Sequence, residues 1–415
     1  MDAMIANNAN ANNVNANNAN ENANNIGAGD KYARYMKMKN ANAGETNPDG
    51  DAGRMNPDDL ILELKDVSVH FKLNEGLLKA IDGVDFEIYR GKTLGIVGES
   101  GCGKSVTSNA ILQLLPKYSE VGGQILLWEK NGERLKQPID IAVLERNSPE
   151  IRSIRGRNIS MIFQEPMKAF SPILTIGEQV TEPIMLHITQ NRAEADKIAV
   201  DMFRKVGISN PEQRLSEYPH QLSGGMRQRA MIAMALSSNP AILIADEPTT
   251  ALDVTIQAQV LQLINQLKTN IGTSVIFITH NLGVIAEMSD YVAVMYLGKI
   301  VEYTDVDTLF NNPAHPYTTA LMAAIPSVIR KQKSMLKSIP GIVPVPMNLP
   351  PGCGFYGRCD FAEDGLCNVG DVPLIEFKPG HKVRCVKCEE AYVTANARMN
   401  GAPAAADTVK GGATA

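Results

Sequence analysis

The feature that most constrains this chain is the octet Gly98-Glu99-Ser100-Gly101-Cys102-Gly103-Lys104-Ser105. It fits G-x-x-x-x-G-K-[ST], a loop whose backbone N–H groups wrap a nucleotide's β- and γ-phosphates while the lysine adds charge and the serine hydroxyl reaches Mg²⁺. Lys92 to Val97 reads as a buried strand feeding the octet, and Ser105 to Leu115 as a helix leaving it. Strand, loop and helix therefore come in the order that phosphate binding at a helix N-terminus needs. Without that context the same letters would describe a glycine-rich turn with an exposed lysine.

The chain has 415 residues, which makes two or three domains the natural division. A formal net charge of −5 gives no electrostatic case for nucleic acid as a partner. No apolar run reaches the roughly 18 residues that cross a bilayer, so no membrane span is expected, although docking onto a membrane protein stays open. Asparagine fills twelve of the first 25 positions, and such a segment buries too little apolar area to offset ordering entropy. Residues 1–57 are read as a disordered tail and 393–415 as a flexible one. A basic stretch followed by an apolar one is not found near the N-terminus, and the expected location is the cytosol.

Two alternating segments, Leu60 to Phe71 and Leu77 to Ile88, suit an antiparallel layer ahead of the octet. Phe71 is either an adenine-stacking aromatic or an ordinary core phenylalanine. Gln124 to Arg157 reads as polar and irregular, and Asn158 to Phe163 as a short buried strand ending at Gln164. From Thr175 to Gln221 the apolar period becomes helical. Ala195, Ile198, Ala199, Met202, Phe203 and Val206 share one face, which suggests a helical insertion at about 165–230. Strands follow at 241–245, 274–278 and 291–295. The helix between the first two carries Ile256, Val260, Leu263, Ile264, Leu267 and Ile271 as its stripe. Alternating strands and helices imply a mostly parallel sheet covered on both faces.

The strand at 241–245 delivers Asp246 and Glu247 at its C-terminal end. Asp246 can hold Mg²⁺ through water, and Glu247 can position and polarise an attacking water. Leu222-Ser223-Gly224-Gly225-Met226 opens another helix and forms a second anion-ready N-terminus. One γ-phosphate does not need two cradles. The economical explanation is that the second serves a nucleotide held by another subunit.

These residues together resemble the nucleotide-binding subunit of an ATP-binding cassette (ABC) transporter from about Leu60 to Phe310. Gly98 to Ser105 is similar to the Walker A loop, Gln164 to the Q-loop glutamine, Leu222 to Met226 to the signature, Ile242 to Glu247 to Walker B, Ala251-Leu252-Asp253 to the D-loop and His280 to the switch histidine. Met226 departs from the commoner glutamine. The resemblance implies a P-loop α/β fold with a mostly parallel core sheet, an antiparallel β subdomain and a helical subdomain over residues 58–310. It assigns catalysis to Glu247, His280 and Gln164, Mg²⁺ to Ser105, Gln164 and Asp246, and ATP contacts to Gly98 through Ser105, Ser223, Gly224, Gly225 and Asp253.

Beyond about Asn311 prolines multiply, and Cys353, Cys359, Cys367, Cys385 and Cys388 cluster. In a reducing cytosol that clustering favours metal over disulfides, and four thiolates hold either a [4Fe-4S] cluster or Zn²⁺. The segment His315 to Leu321, with the cysteines after it, resembles the C-terminal region of dipeptide/oligopeptide permease ATPases. By that likeness residues 311–392 form a small Cys-rich module in which Cys353, Cys359, Cys367 and Cys385 ligate a [4Fe-4S] cluster and Cys388 is spare. The same likeness implies a second ABC ATPase subunit, commonly a paralogue, two transmembrane permease subunits and an extracytoplasmic solute-binding protein, with this chain peripheral on the cytoplasmic face of the membrane. Peptides are the expected solute, with nickel or glutathione as alternatives. A soluble ABC ATPase acting outside transport is the further alternative.

Overall fold

The computed structural model describes residues 55–165, 169–249, 254–324 and 339–399. The expected D-loop, Asp253 included, lies outside the described residues, as do the bulk of the N-terminal tail and residues 400–415.

The antiparallel layer forms where the alternation placed it. β1 (Leu60–Leu73) pairs with β2 (Gly76–Tyr89), and β1 buries Ile61, Leu62, Leu64, Val67 and Val69. The layer is larger than the sequence suggested. β4 (Ser119–Lys130) and β5 (Glu133–Asp140) complete a four-stranded sheet of order β2-β1-β4-β5, β4 running into the stretch read as irregular and β5 lying wholly within it. β5 is an edge strand without a fully buried side chain, so it lacks the apolar alternation that marks a strand.

The second sheet has eight strands in the order β11-β12-β10-β9-β3-β8-β7-β6. β3 (Thr93–Val97), β6 (Ile159–Ile162), β7 (Ile242–Asp246) and β8 (Ser274–Thr279) run parallel to their neighbours and are buried on both faces. Their continuous Val/Ile/Leu runs follow from that double burial. β9 (Tyr291–Tyr296) joins β3 in parallel, and β10 (Lys299–Asp305) turns back antiparallel. The cysteine-rich segment continues this sheet. β12 (His381–Val383) pairs with β10 and β11 (Ile375–Lys378) pairs with β12. A wholly buried carboxylate fixes the join, because Glu302 accepts hydrogen bonds from the N–H groups of Ala314 (2.7 Å) and His315 (3.0 Å), and His381 Nε2 lies 2.7 Å from it.

Helices cover the sheet. α1 (Lys104–Ile111) leaves the octet and is shorter than expected, since Leu112 already leaves helical geometry and Gln113 takes a left-handed conformation (φ 52°). α2 (Pro149–Ile154) precedes β6, and the helical insertion consists of α3 (Ile176–His187), α4 (Arg192–Lys205) and α5 (Pro211–Leu215). α4 buries Ala195, Ala199, Met202 and Phe203 along its predicted face. α6 (Gly224–Leu236) and α7 (Val254–Ile271) pack their apolar faces into the same core as the insertion. The short α8 (Leu282–Met288) and α9 (Val306–Asn311), then α10 (Pro316–Ala323) and α11 (Cys388–Met399), complete the described helices.

Candidate nucleotide site and cysteine cavity

The octet sits where the parallel sheet aims it, at the C-terminal end of β3, the usual ligand edge of an open α/β sheet. Two glycines are required by close approach. A Cβ on Gly98 would stand 2.2 Å from the Met295 carbonyl oxygen, and one on Gly103, whose φ is 105°, would stand 2.5 Å from the Ala80 carbonyl oxygen. Lys104 opens α1 and is buried. Its ammonium donates to the carbonyls of Gly98 (2.8 Å) and Glu99 (3.0 Å), drawing the loop into a closed turn. Ser100, Gly101 and Ser105 remain exposed at the rim.

Asp246 ends β7 and Glu247 follows it with φ 46°, a left-handed conformation costly for a side chain of this size. The strain turns the Glu247 carboxylate toward two partners. Gln164 Nε2 donates to Glu247 Oε2 at 3.0 Å, and His280 Nδ1 lies 3.1 Å from Oε1. The three residues assigned to catalysis thus meet around one carboxylate. Ser105, Gln164 and Asp246 line a shared cavity of about 470 Å³. Asp246 is buried and its Oδ1 has no hydrogen-bond partner in the structure. Burial raises its carboxyl above the ordinary range, with the Ser105 hydroxyl and Lys104 acting against that rise. An orphaned buried carboxylate oxygen beside a serine and a glutamine is a donor set for a hard cation, and Mg²⁺ fits it.

Ser223 caps α6 by accepting from the Met226 N–H (3.3 Å), and it stands exposed with Gly224. A Cβ on Gly224 would meet nothing within 4 Å. The open side of this helix N-terminus therefore faces outward. Phe71 packs on the β1 core with its ring 5.9 Å from that of Tyr118, an exposed aromatic that the sequence reading passed over.

Cys353, Cys359, Cys367 and Cys385 line one small cavity together with His315, Phe355 and Tyr356, whereas Cys388 is not on its wall. Burial pushes every one of these thiols up, Cys359 to about 12 and Cys385 well above its ordinary value. Among the described residues no three His, Cys, Asp or Glu groups stand in a metal-holding arrangement. The expected four-cysteine cluster is therefore not borne out as a formed metal site. What the fold does bring together is the four side chains, from segments up to 32 positions apart.

The family model for ABC transporters matches residues 81–250, and a model for the oligopeptide/dipeptide transporter C-terminal region matches 301–367. A probable peptide ABC transporter ATP-binding protein, y4tR of Sinorhizobium fredii, is 49% identical over 334 residues, covering 80% of this chain and 96% of that protein. The chain belongs to the ABC transporter ATP-binding family. The oligopeptide transport ATP-binding protein AppD of Bacillus subtilis is 48% identical over 330 residues, 80% of this cassette protein and 97% of AppD. Among solved structures, the cassette MJ0796 in a dimeric post-hydrolysis state with ADP and Pi aligns with a TM-score of 0.51 at 27% identity, covering 59% of this chain and 99% of that one.

Proposed function

We propose that this chain binds ATP at Lys104 and hydrolyses it to energise an importer of peptides. The observation that carries the reading is the convergence of Gln164, Glu247 and His280 beside the cavity lined by Ser105 and Asp246. Lys104 and N–H groups of the octet Gly98 to Ser105, other than that of Glu99, hold the triphosphate, and Phe71 with Tyr118 offers the adenine an aromatic face. Ser105, Gln164 and Asp246 hold Mg²⁺, which neutralises charge on the phosphates when bound. Glu247 accepts a proton from the attacking water, and His280 and Gln164 hold its carboxylate in line. Phosphoryl transfer asks little more of a protein than such positioning.

The outward-facing Ser223 to Gly225 cap is proposed to serve an ATP on a second cassette, copy or paralogue. Support for permease subunits as further partners comes from the relatives' names and from exposed apolar side chains of the insertion, Ile173, Leu174 and Leu186. No described helix is long and apolar enough to cross a membrane. Peripheral attachment on the cytoplasmic face, beside an extracytoplasmic binding protein, follows from that reading. Cys353, Cys359, Cys367 and Cys385 are further proposed to take a [4Fe-4S] cluster or Zn²⁺, because they line one cavity and their donor chemistry suits either.

Two measurements test these points. Glu247→Gln in the assembled complex is expected to lower ATP turnover at least 100-fold with ATP still bound. Undiminished turnover removes Glu247 as the base. Iron, sulfide and zinc analysis after anaerobic purification identifies the metal, and a chain with none of the three removes the cysteine proposal.

A further inference from the structure

An acid lies inside the loop that must hold a polyanion. Glu99 is the second residue of the octet, half-buried, and its carboxylate would repel a triphosphate if left unbalanced. It is balanced from far along the chain. Arg358 donates Nη1 to Glu99 Oε2 (2.7 Å) and Nη2 to Oε1 (3.1 Å), a fork-on-fork pair across 259 positions. The Arg358 side chain is only 7% exposed. Four of its five N–H donors are engaged, since Nε also donates to the Pro340 carbonyl (2.8 Å) and Nη1 reaches the Tyr296 hydroxyl (3.3 Å).

A second contact reaches the same residue from another element. The Glu99 N–H donates to the Tyr317 hydroxyl at 2.9 Å, so this loop amide is held by α10. Tyr317, Tyr296 and Phe355 pack as an aromatic cluster with centroids 4.7 to 5.3 Å apart, and the guanidinium lies 5.8 Å from Tyr296 and 5.9 Å from Phe355. Arg358 ends the short turn Tyr356–Arg358, which is flanked by the cavity's own Cys353 and Cys359.

We propose that Arg358 and Tyr317 are positioning residues for ATP. Arg358 neutralises Glu99 and Tyr317 orients its amide, so the affinity of the phosphate loop is set partly by the cysteine-bearing segment. The inference rests on the nucleotide-site reading above and adds to it a determinant outside the cassette motifs. It also ties the loop to the geometry of the turn between two cysteines. Any change in the shape of that turn reaches the phosphates through one ion pair.

The test is titration of the full chain with a fluorescent N-methylanthraniloyl ATP, alongside thermal melting. Arg358→Ala is expected to weaken binding about tenfold, and the loss shrinks at high salt because an unbalanced Glu99 charge causes it. Adding Glu99→Gln to Arg358→Ala is expected to bring affinity back to within about threefold of the wild type, which a merely structural loss would not allow. Tyr317→Phe keeps the ring and drops the hydroxyl, with about threefold weaker binding expected; it carries the test if Arg358→Ala does not fold. Wild-type affinity in Arg358→Ala, or in Tyr317→Phe where that variant decides, overturns the inference, as does a double variant no better than the single. A wild-type chain that binds no ATP analogue overturns the nucleotide-site reading instead.

Discussion

The nucleotide site and the cysteine cavity are built on opposite electrostatic plans. In the first, charged groups are already present and held at the edge of a rigid parallel sheet: Lys104 on two carbonyls, Glu247 between Gln164 and His280, Asp246 with an unpartnered oxygen. In the second, four thiols, two buried and two half-buried, are uncharged at neutral pH and line a cavity in irregular chain. The difference teaches that a preformed site keeps its charges by giving each a polar neighbour. A site left neutral must gain its charge from whatever enters it.

Four tests break or sharpen that contrast. The largest effect is expected from Lys104→Ala, which removes the buried cation at the loop and should weaken ATP binding about 100-fold or more in equilibrium titration. A smaller loss would mean that the loop amides, and not the charge, dominate. Next, Cys385→Ala should abolish stoichiometric metal in anaerobically purified protein while Cys388→Ala retains it, since only Cys385 is on the cavity wall. Equal metal in both would dissolve the four-cysteine assignment.

A third test concerns how the charged site is anchored. Asp290 accepts from the Thr93 N–H (2.8 Å) at the start of β3 and meets Lys268 and Lys92, each at 3.3 Å. Burial works against its charge, but the amide and the two ammoniums win and hold the carboxyl below its ordinary 3.8. Asp290→Asn should cost about 1–2 kcal/mol in urea unfolding at pH 7. Because the folded value is the lower one, the unfolded chain binds the extra proton. The advantage over the asparagine variant is therefore complete above about pH 4 and fades as pH falls further, which melts at pH 7 and pH 3 would reveal. The smallest effect is expected for Phe71→Ala, a loss of about threefold in ATP affinity from one aromatic contact, with Tyr118 left in place. Unchanged affinity returns Phe71 to the core.

Most of the nucleotide site was legible because its residues are contiguous motifs at strand ends, where local pattern and tertiary placement coincide. Asp246 and Glu247 could be placed from the four buried residues before them. β4 and β5 were not legible, because Gly122 and Gly123 interrupt β4 and β5 pairs with it through polar residues, Arg134 opposite Glu129 and Glu133 opposite Lys130, which leave no apolar alternation. The pairing of Arg358 with Glu99 left no signal, since an ion pair across 259 positions has no local period. The one clue was Glu99 itself, an acid in an anion-binding loop. The cysteines announced a cluster, but their wide spacing concealed how they would face one another.

The pairing of β10 with β12 also bears on how the protein is made. Glu302 meets Val383 across the sheet, so the outer edge of β10 stays open during synthesis until about 80 more residues have left the ribosome. At roughly 5–20 residues per second that is an interval of about 4–16 seconds, in which an uncovered strand edge can recruit the wrong neighbour. Truncation before His381 would make the interval permanent, and such a chain should be lost to aggregation before its ATP chemistry could be assayed.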